Sequence, residues 1–188
     1  MGRDYADALE ELDGPVHVLG LSMGSMIAQF LAADSPKQVR SLILSMGPPR
    51  AVPANVKTAE RWLALARQEK WKELYADTVD MTFTGLRRAL WRGLAPLLLR
   101  RPEIPADFVV AVKACMSHDA RKRLPNITAP TLVLGGRKDR LIPEDFFREL
   151  AGLIPDARLH LLEGAGHGVI EERKSEFESS VLRFLKSL

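Results

Sequence analysis

Gly20-Leu21-Ser22-Met23-Gly24 sets one hydroxyl between two glycines, where an apolar run suited to a strand (Val16 to Leu21) gives way to one suited to a helix. A strand that turns sharply into a helix lifts its middle side chain to the carboxyl edge of a sheet. The turn forces unusual backbone angles on that residue and calls for small neighbours two positions either side, which Gly20 and Gly24 provide. The Met23 amide, first in the helix, then points at any oxyanion that forms beside Ser22. The plain alternative is a glycine-rich turn carrying an incidental serine.

A serine hydroxyl is a poor nucleophile without a base. Of the four histidines, His17 and His160 alternate within strand-like runs and read as packed core or interface residues. His118, in His118-Asp119-Ala120-Arg121, reads as a helix-end cap or salt link. His167 lies in Glu163-Gly164-Ala165-Gly166-His167-Gly168, a glycine-rich loop after the last strand, at the sheet edge where Ser22 is expected. An imidazole base needs a carboxylate to hold its tautomer. Asp139, just after the run TLVLGG, stands at that edge too, with capping of a helix near Pro143 as its plainer role. Glu163 is the competing carboxylate. The chain order Ser22, Asp139, His167 therefore puts nucleophile, acid and base on three separate strand ends.

The elements that must hold these residues can be read from periodicity. Asp4 can cap a short helix with Tyr5, Leu9 and Leu12 on one face, stopped by Gly14-Pro15. A strand over 16–21, a helix over about 23–33 with Met26, Ile27, Phe30 and Leu31 inward, and a strand over 39–45 follow. From about 48 to 126 the pattern is helical, over 62–66, 86–99 and 108–116, with Pro96, Pro102 and Pro105 dividing it into short helices. Alternation returns with a strand over 131–136, a helix over 143–153, a strand over 158–162 and a helix over 175–188 that buries Phe177, Val181, Phe184, Leu185 and Leu188. Strands alternating with helices through short connections predict an α/β fold, a mostly parallel sheet flanked by helices. The expected organisation is a first part of the core over 1–47, a helical cap over 48–126 and a second part of the core over 127–188.

Composition sets the remaining bounds. The 188 residues, 46% apolar and 27% charged, suit one globular domain. No apolar run is long enough to span a bilayer, and the charged N-terminus lacks the apolar stretch of a secretory signal. One cysteine, Cys115, fits a reducing compartment, so a cytoplasmic protein without a membrane partner is expected. The net charge of +3 is scattered, and Arg121-Lys122-Arg123 lacks interleaved aromatics, which argues against a nucleic-acid partner. No metal or cofactor is required by the chemistry above. Met46, just past the second strand, is a candidate substrate contact by position, and Trp62, Met81, Phe83, Trp91 and Leu98 in the helical region could line an apolar acyl pocket, with core packing as their plainer role.

Three stretches carry a family resemblance: GLSMGSMIAQFLAADSP around the serine, SHDARKRLPNITAPTLVLGGRKDRLIP around the acid, and LLEGAGHGVIEE around the histidine. Together they resemble the α/β-hydrolase superfamily, in particular its small esterase and lactonase branch with enol-lactonases and methylesterases. The resemblance implies Ser22 as nucleophile, Asp139 as acid, His167 as base, the Met23 amide as oxyanion donor and a helical cap in the middle region. It implies a serine hydrolase of a small carboxylic ester or lactone. A cofactor-free haloperoxidase-like activity on the same triad and a non-catalytic remnant are the alternatives. In that family the elbow strand is the fifth, whereas one helix precedes it here. The expectation is a fold lacking its N-terminal strands and the loop with the second oxyanion amide, through a late start, a fragment or a split protein. The edge of the 16–21 strand would then be open to a second copy or a complementing N-terminal segment.

Overall fold

The computed structural model describes residue 9, residues 11–102 and residues 105–188. Asp4 and Tyr5, assigned to a first helix by their spacing, lie outside the described residues; Leu9 packs against the core and Leu12 is exposed. Four parallel strands form one sheet in chain order: β1 (Val16–Leu21), β2 (Val39–Ser45), β3 (Thr131–Gly136) and β4 (Ala157–Leu162). Helix α1 (Met23–Asp34) connects β1 to β2, and α6 (Glu144–Leu153) connects β3 to β4. Between β2 and β3 the chain makes α2 (Val56–Arg67), α3 (Trp71–Thr82), α4 (Gly85–Leu98) and α5 (Pro105–Met116). After β4 come the single-turn α7 (Val169–Glu172) and α8 (Lys174–Leu185).

Residues alternating along the strands divide the core between the two faces of the sheet. Leu42, Leu44 and Val133 pack with Ala28 and Ala32 of α1 and Phe147 and Leu150 of α6. Ile43, Leu132 and Leu134 pack with Leu162 and with Phe177 and Phe184 of α8. The apolar run TLVLGG is buried throughout, as expected of a strand covered on both faces. β1 is the outer strand of the described sheet, with His17, Leu19 and Leu21 exposed.

Several elements differ from the sequence reading. The buried face of α1 is made by Ser25, Ala28, Gln29, Leu31, Ala32 and Ala33, not by Met26, Ile27 and Phe30, which are only partly covered. The cause is proximity: a Cβ on Gly20 would stand 2.7 Å from Ser25 Cα and 2.9 Å from Ala28 Cβ. A helix that close to a strand can present only small residues to it. Pro96 does not break its helix but sits in the last turn of α4, which forgoes one amide hydrogen bond there and ends two residues later at Leu98. A further helix over Trp71–Thr82 lies between the helical stretches that the apolar spacing predicts. Leu188, expected in the core, is exposed because the last helix ends at Leu185. No helix among the described residues is long and apolar enough to cross a membrane.

Candidate active site

Ser22 stands between β1 and α1 with φ 50° and ψ −115°, a positive φ that a side-chain-bearing residue rarely adopts. Its amide donates to Ser45 O at 2.8 Å, tying the turn to the end of β2. Gly20 is required: a Cβ there would stand 2.6 Å from Gly24 O. Gly24 is not, since a Cβ there would meet nothing within 4 Å, so only one of the two flanking glycines answers to a steric need. The Ser22 side chain makes no capping bond to α1. At the start of α1 the amides of Ser25 and Met26 donate to Ser22 O at 3.0 and 3.3 Å, while those of Met23 and Gly24 have no carbonyl one turn back within the helix.

Asp139 and His167 come from the turns after β3 and β4. Lys138 N donates to Ala165 O at 2.8 Å, which joins the two turns. Gly136 lets them meet, because a Cβ there would fall 2.4 Å from both Ala165 O and Gly166 O. Asp139 Oδ1 accepts from the amides of Leu141 and Ile142 at 2.8 and 2.9 Å. Its Oδ2 accepts from His167 Nδ1 at 2.8 Å. The carboxylate therefore holds the imidazole and orders the turn ahead of α6, but it does not cap that helix, whose N-terminus has no side-chain capping bond. Since Nδ1 carries the proton toward Asp139, Nε2 is free to accept from Ser22 Oγ–H, 2.9 Å away. The Asp139 side chain has no solvent exposure and that of His167 has 10%. Glu163, the competing carboxylate, instead pairs with Arg137 at the surface.

The other histidines have structural partners. His118 is neither a cap nor a salt link: its ring is buried, with Nε2 3.3 Å from Gln29 Oε1 and 3.1 Å from Pro48 O. Its edge meets the Phe30 ring, and burial pushes its pKa below the ordinary histidine value. His17 is exposed on β1 and bonds Ser41 Oγ, and His160 bonds Ser180 Oγ.

Beside Ser22 and His167 lies a cavity of about 430 Å³ between the sheet edge and helices α2 and α5. Met26, Pro48, Val52, Trp62, Phe108, Val112, Leu141 and Ile142 supply most of its apolar wall, and among the described residues no Asp, Glu, Lys or Arg lines it. Asn55 turns its Nδ2 away to Leu141 O, and Trp62 donates Nε1 to Asp77. Burial raises the pKa of Cys115, another lining residue. Neither Met46 nor Trp91, both read as candidate substrate contacts, lines this cavity. Met46 packs with Ile43, Leu134 and Leu162 on the α8 side of the sheet, and Trp91 stacks on Phe83. Proximity in sequence to a strand end could not tell which face a side chain takes. Of the helical-region candidates Trp62 does line the cavity, whereas Met81, Phe83 and Leu98 do not; Phe108 and Val112, which also line it, look like core from their helical spacing.

A model of the alpha/beta hydrolase family matches residues 2–179. A 2-hydroxy-6-oxononadienedioate/2-hydroxy-6-oxononatrienedioate hydrolase from a Pseudomonas species is 30% identical over 90% of this chain. The chain spans 62% of that relative's length. A hydrolase of known structure from Pseudomonas aeruginosa PA01 superposes with a TM-score of 0.82 at 28% identity, over 98% of this chain and 70% of that one. The enol-lactonase from Burkholderia xenovorans LB400 superposes with a TM-score of 0.85, over 98% of this chain and 70% of that one. At 24% identity, that likeness bears on the fold alone.

Proposed function

Because the chain belongs to the α/β-hydrolase family, we propose that it is a serine hydrolase of carboxylic esters or lactones, with Ser22, His167 and Asp139 as its triad. The observation that carries this reading is the unbroken relay of two hydrogen bonds from Ser22 Oγ through His167 to Asp139, opening onto an apolar cavity. Ser22 Oγ attacks the carbonyl carbon as its proton passes to His167 Nε2, and Asp139 stabilises the imidazolium. The Met23 amide, at the positive end of α1, faces the oxyanion. Collapse of the tetrahedral intermediate expels the alcohol, which takes the proton from His167 and leaves an ester on Ser22. Water, deprotonated by His167, then releases the acid and restores the hydroxyl.

The cavity supports an uncharged, apolar acyl group as the part of the substrate held beside Ser22. A carboxylate buried there would lose its hydration without gaining a Lys or Arg partner among the described residues. A second reading has the same relay hydrolysing a carbon–carbon bond beside a ketone, and the 6-oxo dioate in the name of the Pseudomonas relative favours it. Apolar esters and a dioate substrate separate the two in one assay. A fluorophosphonate probe tests the nucleophile itself: labelling of the wild-type chain that disappears in Ser22→Ala is expected. A folded wild-type sample that does not label overturns the proposal and leaves the non-catalytic alternative.

A further inference from the structure

Beyond the relay itself, the histidine loop is fastened on both sides of His167 to the junction between α3 and α4, an element of the helical segment. Gly166 N donates to Glu172 Oε2 at 2.5 Å. The other oxygen of the same carboxylate accepts from the amide and, at 2.7 Å, from the hydroxyl of Thr84. On the far side of His167, Gly168 N donates to Thr82 O at 2.8 Å. The surfaces meet closely. A Cβ on Gly166 would stand 2.9 Å from Thr82 O, and one on Gly168 would stand 2.6 Å from the Phe83 ring. The acid turn reaches the same place, for Arg140, next to Asp139, donates Nη1 to Asp80 O at 3.1 Å.

From these contacts we infer that Glu172 is a positioning residue, whose carboxylate locks the His167 loop to the α3–α4 junction and so sets the imidazole against Ser22. Glu172 touches neither Ser22 nor His167 by hydrogen bond and acts through the Gly166 amide. The chemistry demands an anion there. Three donors converge on the group, and a carboxylate offers acceptors alone on both oxygens. A glutamine would keep one acceptor and turn an NH₂ toward an N–H on the other side. A consequence is that a shift of α3 and α4 on binding a substrate is transmitted to the base, because the loop glycines leave no slack between them.

The inference rests on the proposed role of His167, and two measurements keep the two apart. The first is the proton NMR resonance of the His167 Nδ1–H···Asp139 hydrogen bond, which needs no substrate. The second is the split between kcat and KM for an ester that the wild-type chain hydrolyses. Glu172→Gln is expected to move or broaden that resonance and to lower kcat by about tenfold to a hundredfold with KM little changed, the pattern of a misplaced catalytic group. If Glu172→Gln does not fold, Thr84→Val carries the same readouts, with Thr84→Ser, which keeps the hydroxyl, restoring both. A folded variant with an unmoved resonance and wild-type kcat overturns the inference, as does a loss explained by reduced thermal stability alone. Failure of the wild-type chain to label with fluorophosphonate would instead overturn the proposed activity.

Discussion

At the scale of single residues, the turn at Ser22 is held by one steric requirement rather than the symmetric pair that the glycine spacing suggests. Gly20 lies under α1 with no room for a methyl group, while the α-carbon of Gly24 faces open space. Gly20→Ala is therefore expected to cost about 1–3 kcal/mol, because α1 must back away from β1. Gly24→Ala, inside the first turn of α1, should be neutral or gain up to about 1 kcal/mol from helix propensity. Urea unfolding of the two variants beside wild type checks both signs at once. Fluorophosphonate labelling adds the chemical consequence: Gly20→Ala should slow it and Gly24→Ala should leave it in place. The serine, the acid and the histidine could be picked out from residue type and chain order. The small residues of α1 that make their turn possible could not, since Ser25 and Ala28 look unremarkable until the helix is seen against the strand.

At the scale of elements, apolar periodicity marked the helices apart from α3 and marked their coverage badly. In α4 the pattern that predicts a helix comes from Leu86, Leu90 and Leu97, and all three are exposed. In α2 and α5 it comes partly from residues that line the cavity, Trp62, Phe108 and Val112. Hydrophobic spacing reports that one face avoids water, not whether a sheet, a cavity or nothing lies opposite. The cavity makes a specific expectation for chain-length preference. Each methylene added to the acyl group of a p-nitrophenyl ester should raise kcat/KM by about fourfold while the chain still finds apolar wall. Ala111→Phe, which places a ring into the space from α5, should cut the preference for long over short acyl groups by about tenfold or more. An ester ending in a carboxylate should be a poor substrate for both. Equal rates for the charged and uncharged esters would remove the case for an apolar acyl group.

At the scale of the whole molecule, His118 joins the start and finish of the helical excursion to the sheet layer. Its ring rests on Phe30 and Gln29 of α1 and on Pro48, where the excursion begins, while Asp119 beside it favours the charged form less than burial opposes it. The folded state thus keeps His118 neutral, with a pKa below the ordinary value of 6.5. As pH falls through that ordinary value, the unfolded chain takes up a proton that the folded chain refuses, so this contribution to stability is full above it and is lost on acidification. The melting temperature should fall between pH 8 and pH 5, and His118→Gln should flatten that slope. An unchanged slope in the variant would assign the acid sensitivity elsewhere. By itself the sequence determined the alternation of strand and helix, the parallel α/β class and the three strand-end turns where Ser22, Asp139 and His167 stand. These follow from local rules, namely side-chain period, turn chemistry and the order of elements along the chain. Only the tertiary structure decided that Asp139 serves both its own turn and the imidazole, that Met46 faces away from the cavity while Trp62 faces it, and that Glu172 ties the histidine loop to a helix junction some ninety positions earlier. Those outcomes depend on which side chains converge from distant segments, and no local pattern in the chain encodes a distance between them.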